Sequence, residues 1–191
     1  MEHKGIIEIQ TPRLLLRKFT VDDVQAVFDN WTSDSVATEF LRWPAHSSID
    51  ITKNVLLGWL EQYNNKDCYR WAITLKKNSA EPIGIIDVVD KNERINSASI
   101  GYCIGRKWWN KGITSEAFSG IIPFLFDTVK VNRIEAQHDP NNINSGRVMQ
   151  KCGLKYEGTL RQADISNKGI IDAAVYSILA SEYYTYFNVG E

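Results

Sequence analysis

Ile100-Gly101-Tyr102-Cys103-Ile104-Gly105-Arg106-Lys107-Trp108-Trp109-Asn110-Lys111-Gly112-Ile113-Thr114-Ser115-Glu116-Ala117 is the stretch whose pattern decides the fold. An alternating apolar strand runs into a charged, glycine-containing turn, and the turn runs into a helix. Such a turn brings several N–H groups to a helix start, where no intrahelical acceptor exists and the helix dipole adds partial positive charge. That is an anion site. Gly112 lets an anion approach the backbone, while Lys111 and Arg106 add mobile positive charge. The spacing is neither that of a P-loop nor that of a dinucleotide-binding G-x-G-x-x-G turn.

Trp109-Asn110-Lys111-Gly112-Ile113-Thr114 resembles the pyrophosphate-binding turn of the GNAT superfamily of acetyl-CoA-dependent N-acetyltransferases, whose pattern is Gln/Arg-x-x-Gly-x-Gly/Ala. Gly112 matches outright; Trp109 and Thr114 stand at the two positions that depart. With Ile100-Gly101-Tyr102 before the turn and Glu116-Ala117 after it, the stretch is similar to the RimJ/RimL-like branch, which acetylates the amino termini of ribosomal proteins among other amines. The opening Thr11-Pro12-Arg13-Leu14-Leu15-Leu16-Arg17 resembles the same branch. So does the run from Asn142-Ile143-Asn144-Ser145 to Cys152-Gly153-Leu154, an Asn-x-x-Ser helix closed by a glycine. The two signatures lie about thirty residues apart, in the family's order.

Composition sets the outer limits. The 191 residues, 43% hydrophobic, fit one N-acetyltransferase domain over 1–191. With 22 basic and 23 acidic side chains the net charge is −1, so no global field draws the chain to nucleic acid or to an anionic membrane. Cys68, Cys103 and Cys152 have no metal-ligand spacing, and only three histidines accompany them, so no metal is expected. The Met1-Glu2-His3-Lys4 start lacks an apolar leader. The expectation is a soluble cytoplasmic protein.

Along the chain, Leu14 to Phe19 predicts a first strand, and Thr20-Val21-Asp22-Asp23 a capped helix start with Val24, Val27, Phe28 and Trp31 in the core. Residues 33–48 lose periodicity but hold Phe40, Trp43 and Pro44. In the resembled family this segment borders the acceptor pocket; a mobile surface connection is the equal alternative. A second helix is expected from Ile49 to Tyr63, with Val55, Leu56, Trp59 and Leu60 on one side. Strands over 69–75, 83–89 and 98–104 predict an antiparallel meander, with 76–82 as a turn. Pro123 predicts a kink near Ser119-Gly120 in the helix that follows Gly112. A strand from Arg133 to Gln137, a helix from Ile143 to Cys152 capped by Asn142, and strands over 154–160 and 173–179 complete the order. The class is α+β. The resemblance implies a GNAT-like mixed, mostly antiparallel sheet, splayed at its central parallel strands. Tyr183, Tyr184, Tyr186 and Phe187 predict either a final strand or an interface patch through which a homodimer could form.

The resemblance also assigns the site. Tyr102, Cys103 and Ile104 would line the gap for the pantetheine arm, opposite the strand from Arg133. The amides of Asn110, Lys111, Gly112, Ile113 and Thr114 would hold the pyrophosphate, with Trp109 contributing mainly its backbone. Asn142 either points its amide at the arm or caps its helix. Ser145 corresponds to the proposed general acid, and Asp164 stands where the family places a base, one methylene shorter than glutamate. Cys103 as a nucleophile would need an activating base that the sequence does not place beside it, so a small buried residue is the simpler role. The expected activity is transfer of acetyl from acetyl-CoA to a primary amine, either a protein N-terminus or a small molecule. A non-catalytic acyl-CoA-binding domain and an unrelated phosphate-ligand protein stand as alternatives.

Overall fold

The computed structural model describes residues 1–188, with side chains as far as Thr185. Its strands are β1 (Ile9–Gln10), β2 (Leu14–Arg17), β3 (Arg70–Leu75), β4 (Asn78–Asn92), β5 (Ser97–Ile104), β6 (Arg133–His138), β7 (Lys155–Ser166) and β8 (Gly169–Leu179). The helices are α1 (Val24–Val27), α2 (Ile49–Gln62), α3 (Ile113–Pro123), α4 (Ile143–Lys151) and α5 (Ala180–Asn188). All eight strands join one sheet in the order β1-β2-β3-β4-β5-β6-β8-β7. Every neighbouring pair is antiparallel except β5 and β6, which run parallel.

Alternation along the strands divides the apolar side chains between two faces. On one face Leu14, Trp71, Ile86, Ile100, Ile134 and Ala136 pack with Phe118, Ile121, Leu125 and Met149 of the α3 and α4 side. On the other, Ala72, Ile85 and Cys103 pack with Phe19, Val27, Trp31 and Leu56. Trp71 meets Phe124 edge-on at 5.8 Å between ring centroids, a geometry that adds about 0.5–1.5 kcal/mol beyond burial.

The central feature is how little of β5 and β6 is joined. Their pairing consists of Ser97↔Arg133, Ala98↔Ile134 and Ser99↔Glu135. Residues 100–104 of β5 and 136–138 of β6 continue without that ladder, so the two strands part. The closed end is stapled. Ser99 Oγ donates to Glu135 at 2.8 Å, and Arg133 donates to Glu135 at 2.8 Å and to Glu157 at 2.6 and 2.7 Å. On its opposite edge β5 holds tightly to β4. A Cβ on Gly84 would lie 2.5 Å from the Cys103 carbonyl oxygen, and one on Gly101 would lie 2.6 Å from Val89 Cγ1. Val89 is the extra residue of a bulge between Val88↔Ile100 and Asp90↔Ser99.

Several elements differ from their sequence expectations. The turn between β3 and β4 is confined to Lys76-Lys77, because β4 begins at Asn78 rather than after Pro82. Helix α3 passes Ser119-Gly120 unbroken and ends on Pro123. The chain then widens into a π turn, Phe124–Thr128, which accommodates a proline that cannot donate to the preceding turn. Val55 of α2 is exposed and Thr52 is buried in its stead. Strands β7 and β8 form a hairpin longer than expected, closed by Asn167-Lys168. Tyr183 and Tyr184 lie on helix α5, not on a strand, with Tyr183 stacked on Phe126 at 4.8 Å. The side chains of Tyr186 and Phe187, part of the same expectation, lie outside the described residues.

Substituting Gly84 by alanine forces backbone apart and should cost about 1–3 kcal/mol in urea unfolding, whereas Gly101→Ala meets only a surface valine and should cost less. Glu157 gives a pH signature. The Arg133 guanidinium, and then the Ser177 hydroxyl, lower its carboxyl from 4.5 to about 2. A carboxylate lowered on folding stabilises above its ordinary pKa, and that stability goes as the proton returns. Wild type should therefore lose stability between about pH 4.5 and about pH 2, a segment that Glu157→Gln should flatten.

Candidate active site

The site is built where β5 ends. After Gly105, residues Arg106–Trp108 make a single 3-10 turn, Asn110 takes φ 58°, and Gly112 takes φ 69° as the residue before α3. Two left-handed residues within three fold the backbone back over the helix start. Glu116 N is the first to bond back, to the Gly112 carbonyl at 3.0 Å. Among the described residues the N–H groups of Asn110, Lys111, Gly112, Ile113, Thr114 and Ser115 donate to no protein acceptor. Gly112, Lys111 and Asn110 are exposed, so these donors open outward at a helix N-terminus.

The turn is anchored from a distance. Arg13 donates from Nη1 to the Lys111 carbonyl at 3.0 Å, and its Nε and backbone N–H bind Glu116, which also accepts from Thr11 at 2.6 Å. Burial alone would raise the Glu116 carboxyl, but the Thr11 and Arg13 donors outweigh it and hold the group below its ordinary value. Lys111 Nζ reaches the Lys107 carbonyl at 2.6 Å. Trp109 does more than the expected backbone duty: its indole N–H donates to the Ile104 carbonyl at 2.9 Å, capping the last residue of β5 at the mouth of the gap.

Along the gap, side chains of β5 alternate between faces. Tyr102 points toward α3 and α4, with its ring 5.8 Å from Phe118. Its hydroxyl lies 2.9 Å from Ser145 Oγ and 3.0 Å from the Ser145 carbonyl. Cys103 points the other way, into the apolar cluster of Trp31 and Leu56. Burial pushes its thiol up to about 12, so it is a protonated, unreactive group at neutral pH. Asn142 caps α4 by accepting from Ser145 N at 3.3 Å. Gly146 leaves room for His138, whose Nε2 would lie 2.6 Å from a Cβ at that position.

Asp164 belongs to a different network. Oδ1 accepts from Arg42 at 2.7 and 3.1 Å and from Ile165 N at 2.8 Å; Oδ2 accepts from Gln137 at 2.8 Å. Gln137 alternates with Ala136 and His138 and so faces away from α4. No hydrogen bond links Asp164 to Ser145; they flank opposite faces of β6. The segment 33–48 that carries Arg42 is fixed rather than loose. Asn167 donates to the Thr38 and Trp43 carbonyls, Lys168 pairs with Glu39, and Arg106 pairs with Asp34.

A family model described as Acetyltransferase (GNAT) domain matches residues 13–155. The chain belongs to the GNAT family. It is 31% identical over 171 residues to the uncharacterized N-acetyltransferase YoaA of Bacillus subtilis, covering 90% of this chain and 96% of that one. It is 37% identical over 128 residues to the ribosomal protein uS5 alanine N-acetyltransferase of Escherichia coli, covering 56% and 66%. A GNAT-family acetyltransferase from Bacillus anthracis superposes with a TM-score of 0.80 at 28% identity, over 92% of this chain and 100% of that one. The protein is thus an acetyl-CoA-dependent acyltransferase of GNAT fold, and the resemblance to the RimJ/RimL-like branch holds. Among the described residues no helix is long and apolar enough to cross a membrane.

Sequence reasoning had Arg13 and Glu116 among the signature residues but missed the contact between them, and it missed the roles of Arg42 and Gln137 and the bond from Tyr102 to Ser145. Arg13 and Lys111 are 98 positions apart and Arg42 and Asp164 are 122 apart, so no local spacing could join them.

Gly112 gives a direct test of the turn. The nearest atom to a Cβ there is Arg13 Nη2 at 3.7 Å, an ordinary contact, so the cost of Gly112→Ala is conformational, about 1 kcal/mol. Asparagine tolerates the left-handed region better and should lie between glycine and alanine in melting temperature. The rise in melting temperature caused by CoA should shrink in the same order.

Proposed function

We propose that this enzyme moves acetyl from acetyl-CoA directly to a primary amine, a peptide N-terminus or a small molecule. One observation carries the reading. Beyond Ser99 and Glu135 the facing edges of β5 and β6 have no ladder partners, and the unpaired amides around Gly112 lie at the mouth of that gap. Exposed backbone edges suit an amide-bearing arm, which can bond to them as a strand would. The residues present therefore fit the cosubstrate: the amides of 110–114 would hold its pyrophosphate and the backbone of 102–104 its pantetheine arm. Asn142 would serve as helix cap beside that arm, and Cys103 as wall.

When bound, acetyl-CoA supplies an activated acyl carbon and a thiolate leaving group. The protein's own groups then handle protons. Ser145 stands on the α4 face of the gap and would donate its hydroxyl proton toward sulfur. Asp164 stands on the opposite face, where its Oδ2 has one protein donor and would accept the proton that the amine sheds, through water if the reach is short. Arg42 on Oδ1 and Gln137 on Oδ2 hold the carboxylate in position. Acid and base on opposite faces suit an amine that approaches from the side away from α4, with no acetyl-enzyme between the two substrates. The ribosomal-protein relative supports a peptide beginning with alanine as the first acceptor to try.

Thiol release from acetyl-CoA is the measurement, with an alanine-initiated peptide, spermine and free alanine as acceptors. The expected result is saturable release with at least one of them. Asp164→Asn should lower kcat by about 10²-fold or more, with KM for acetyl-CoA nearly unchanged. Release independent of every amine would overturn the reading.

A further inference from the structure

The geometry points to Tyr102 as the residue that aims the Ser145 hydroxyl at the leaving sulfur. This rests on the assignment of Ser145 as proton donor and adds a partner to it. The argument is one of counting protons. Tyr102 has a single hydroxyl proton and two acceptors on one residue, the Ser145 carbonyl at 3.0 Å and Ser145 Oγ at 2.9 Å. A carbonyl only accepts. When Tyr102 donates to it, the close Oγ is satisfied by donating its own proton back to the tyrosine oxygen, and Ser145 has nothing to offer the gap. When Tyr102 donates to Oγ, the serine proton is released to point elsewhere.

The two states differ by a small rotation of one O–H bond. The ring itself is fixed, since Tyr102 sits on β5, packs against Phe118 and reaches across to the first turn of α4. Ser145 in turn is held by its N–H on the Asn142 carbonyl at 3.0 Å and on the Asn142 side chain. Donation into Oγ also does chemical work. As the carbon–sulfur bond breaks and its electron pair stays on sulfur, the Ser145 proton moves to sulfur and negative charge grows on Oγ. A donor already in place stabilises that charge, and the serine regains a proton from water once the amide has formed. Tyr102 keeps its own proton throughout, because burial pushes its hydroxyl well above the ordinary tyrosine value. It acts through Ser145 and is a positioning residue.

The test is a cycle of wild type, Tyr102→Phe, Ser145→Ala and the double variant, read by thiol release with the acceptor panel above and by the melting shift caused by CoA. Phenylalanine keeps the ring and its packing. The expected result is a fall in kcat of about 10- to 100-fold for Tyr102→Phe. KM for acetyl-CoA and the CoA shift should stay within about two-fold, and the double variant should be no slower than Ser145→Ala. A Tyr102→Phe enzyme within two-fold of wild type, beside a slow Ser145→Ala, overturns this inference and leaves the acyl-transfer reading standing. Multiplying effects, or a lost CoA shift in Tyr102→Phe, overturn it as well, since the tyrosine then acts independently or only supports the fold. A fast Ser145→Ala removes the acid itself, and absence of turnover in wild type removes both readings.

Discussion

The parting of β5 from β6 is the constraint on which the rest of the molecule depends. Two parallel strands in the middle of a sheet gain by staying paired, and backbone groups left without partners inside a protein are costly. Here the pairing stops after three residue pairs, although both strands continue. The closed end is clamped by Ser99, Glu135, Arg133 and Glu157, so the strands cannot slide or separate there. Toward the open end Tyr102 reaches the first turn of α4, and Trp109 occupies the Ile104 carbonyl. The opening is therefore held by side chains on both sides of β5 and by tight backbone contact with β4 at Gly84.

Charge is organised around the same opening. A chain of net charge −1 has no long-range field to attract a polyanion, so attraction must be local. The turn at Gly112 would provide it through backbone dipoles, with the charged Lys107 and Lys111 beside them. Lys111 is folded onto the Lys107 carbonyl, and Arg13 is divided between the Lys111 carbonyl and Glu116. Both cations shape the loop that presents the amides. Glu116 in the first turn of α3 competes with an anion for the helix dipole, but it is turned away and neutralised by Thr11 and Arg13.

What was legible in the sequence follows from how local the physics is. The strand from Ile100, the left-handed glycine at 112 and the Asn142 cap with Gly153 closing its helix are all set by neighbours a few positions away, and they stand where the pattern puts them. Pro123 was legible as a disturbance but not in its place. The loss of a donor is absorbed one turn later, where Phe124, Leu125 and Phe126 are all buried and packing holds a wider π turn. The outer half of the β7–β8 hairpin escaped because β7 is an edge strand with hardly a buried residue, so no alternation marks it. The ion pairs of Arg13 and Arg42 escaped for a different reason. Their partners come from the far end of the chain, and charge gives no periodic signal.

The segment 33–48 shows why that second kind of information matters for chemistry. By itself it is an aperiodic connection, and its alternatives as pocket wall or idle loop could not be separated. In the fold, three side chains fix it to the β7–β8 hairpin: Arg42 to Asp164, Glu39 to Lys168, and the Asn167 amide to two of its carbonyls. Asp34 ties it to Arg106 at the head of the turn that leads to Gly112. Exposed ion pairs contribute little stability singly, yet here they join the β7–β8 hairpin to the turn that precedes α3. Paired charge, not periodicity, thus gives this aperiodic segment its place in the fold.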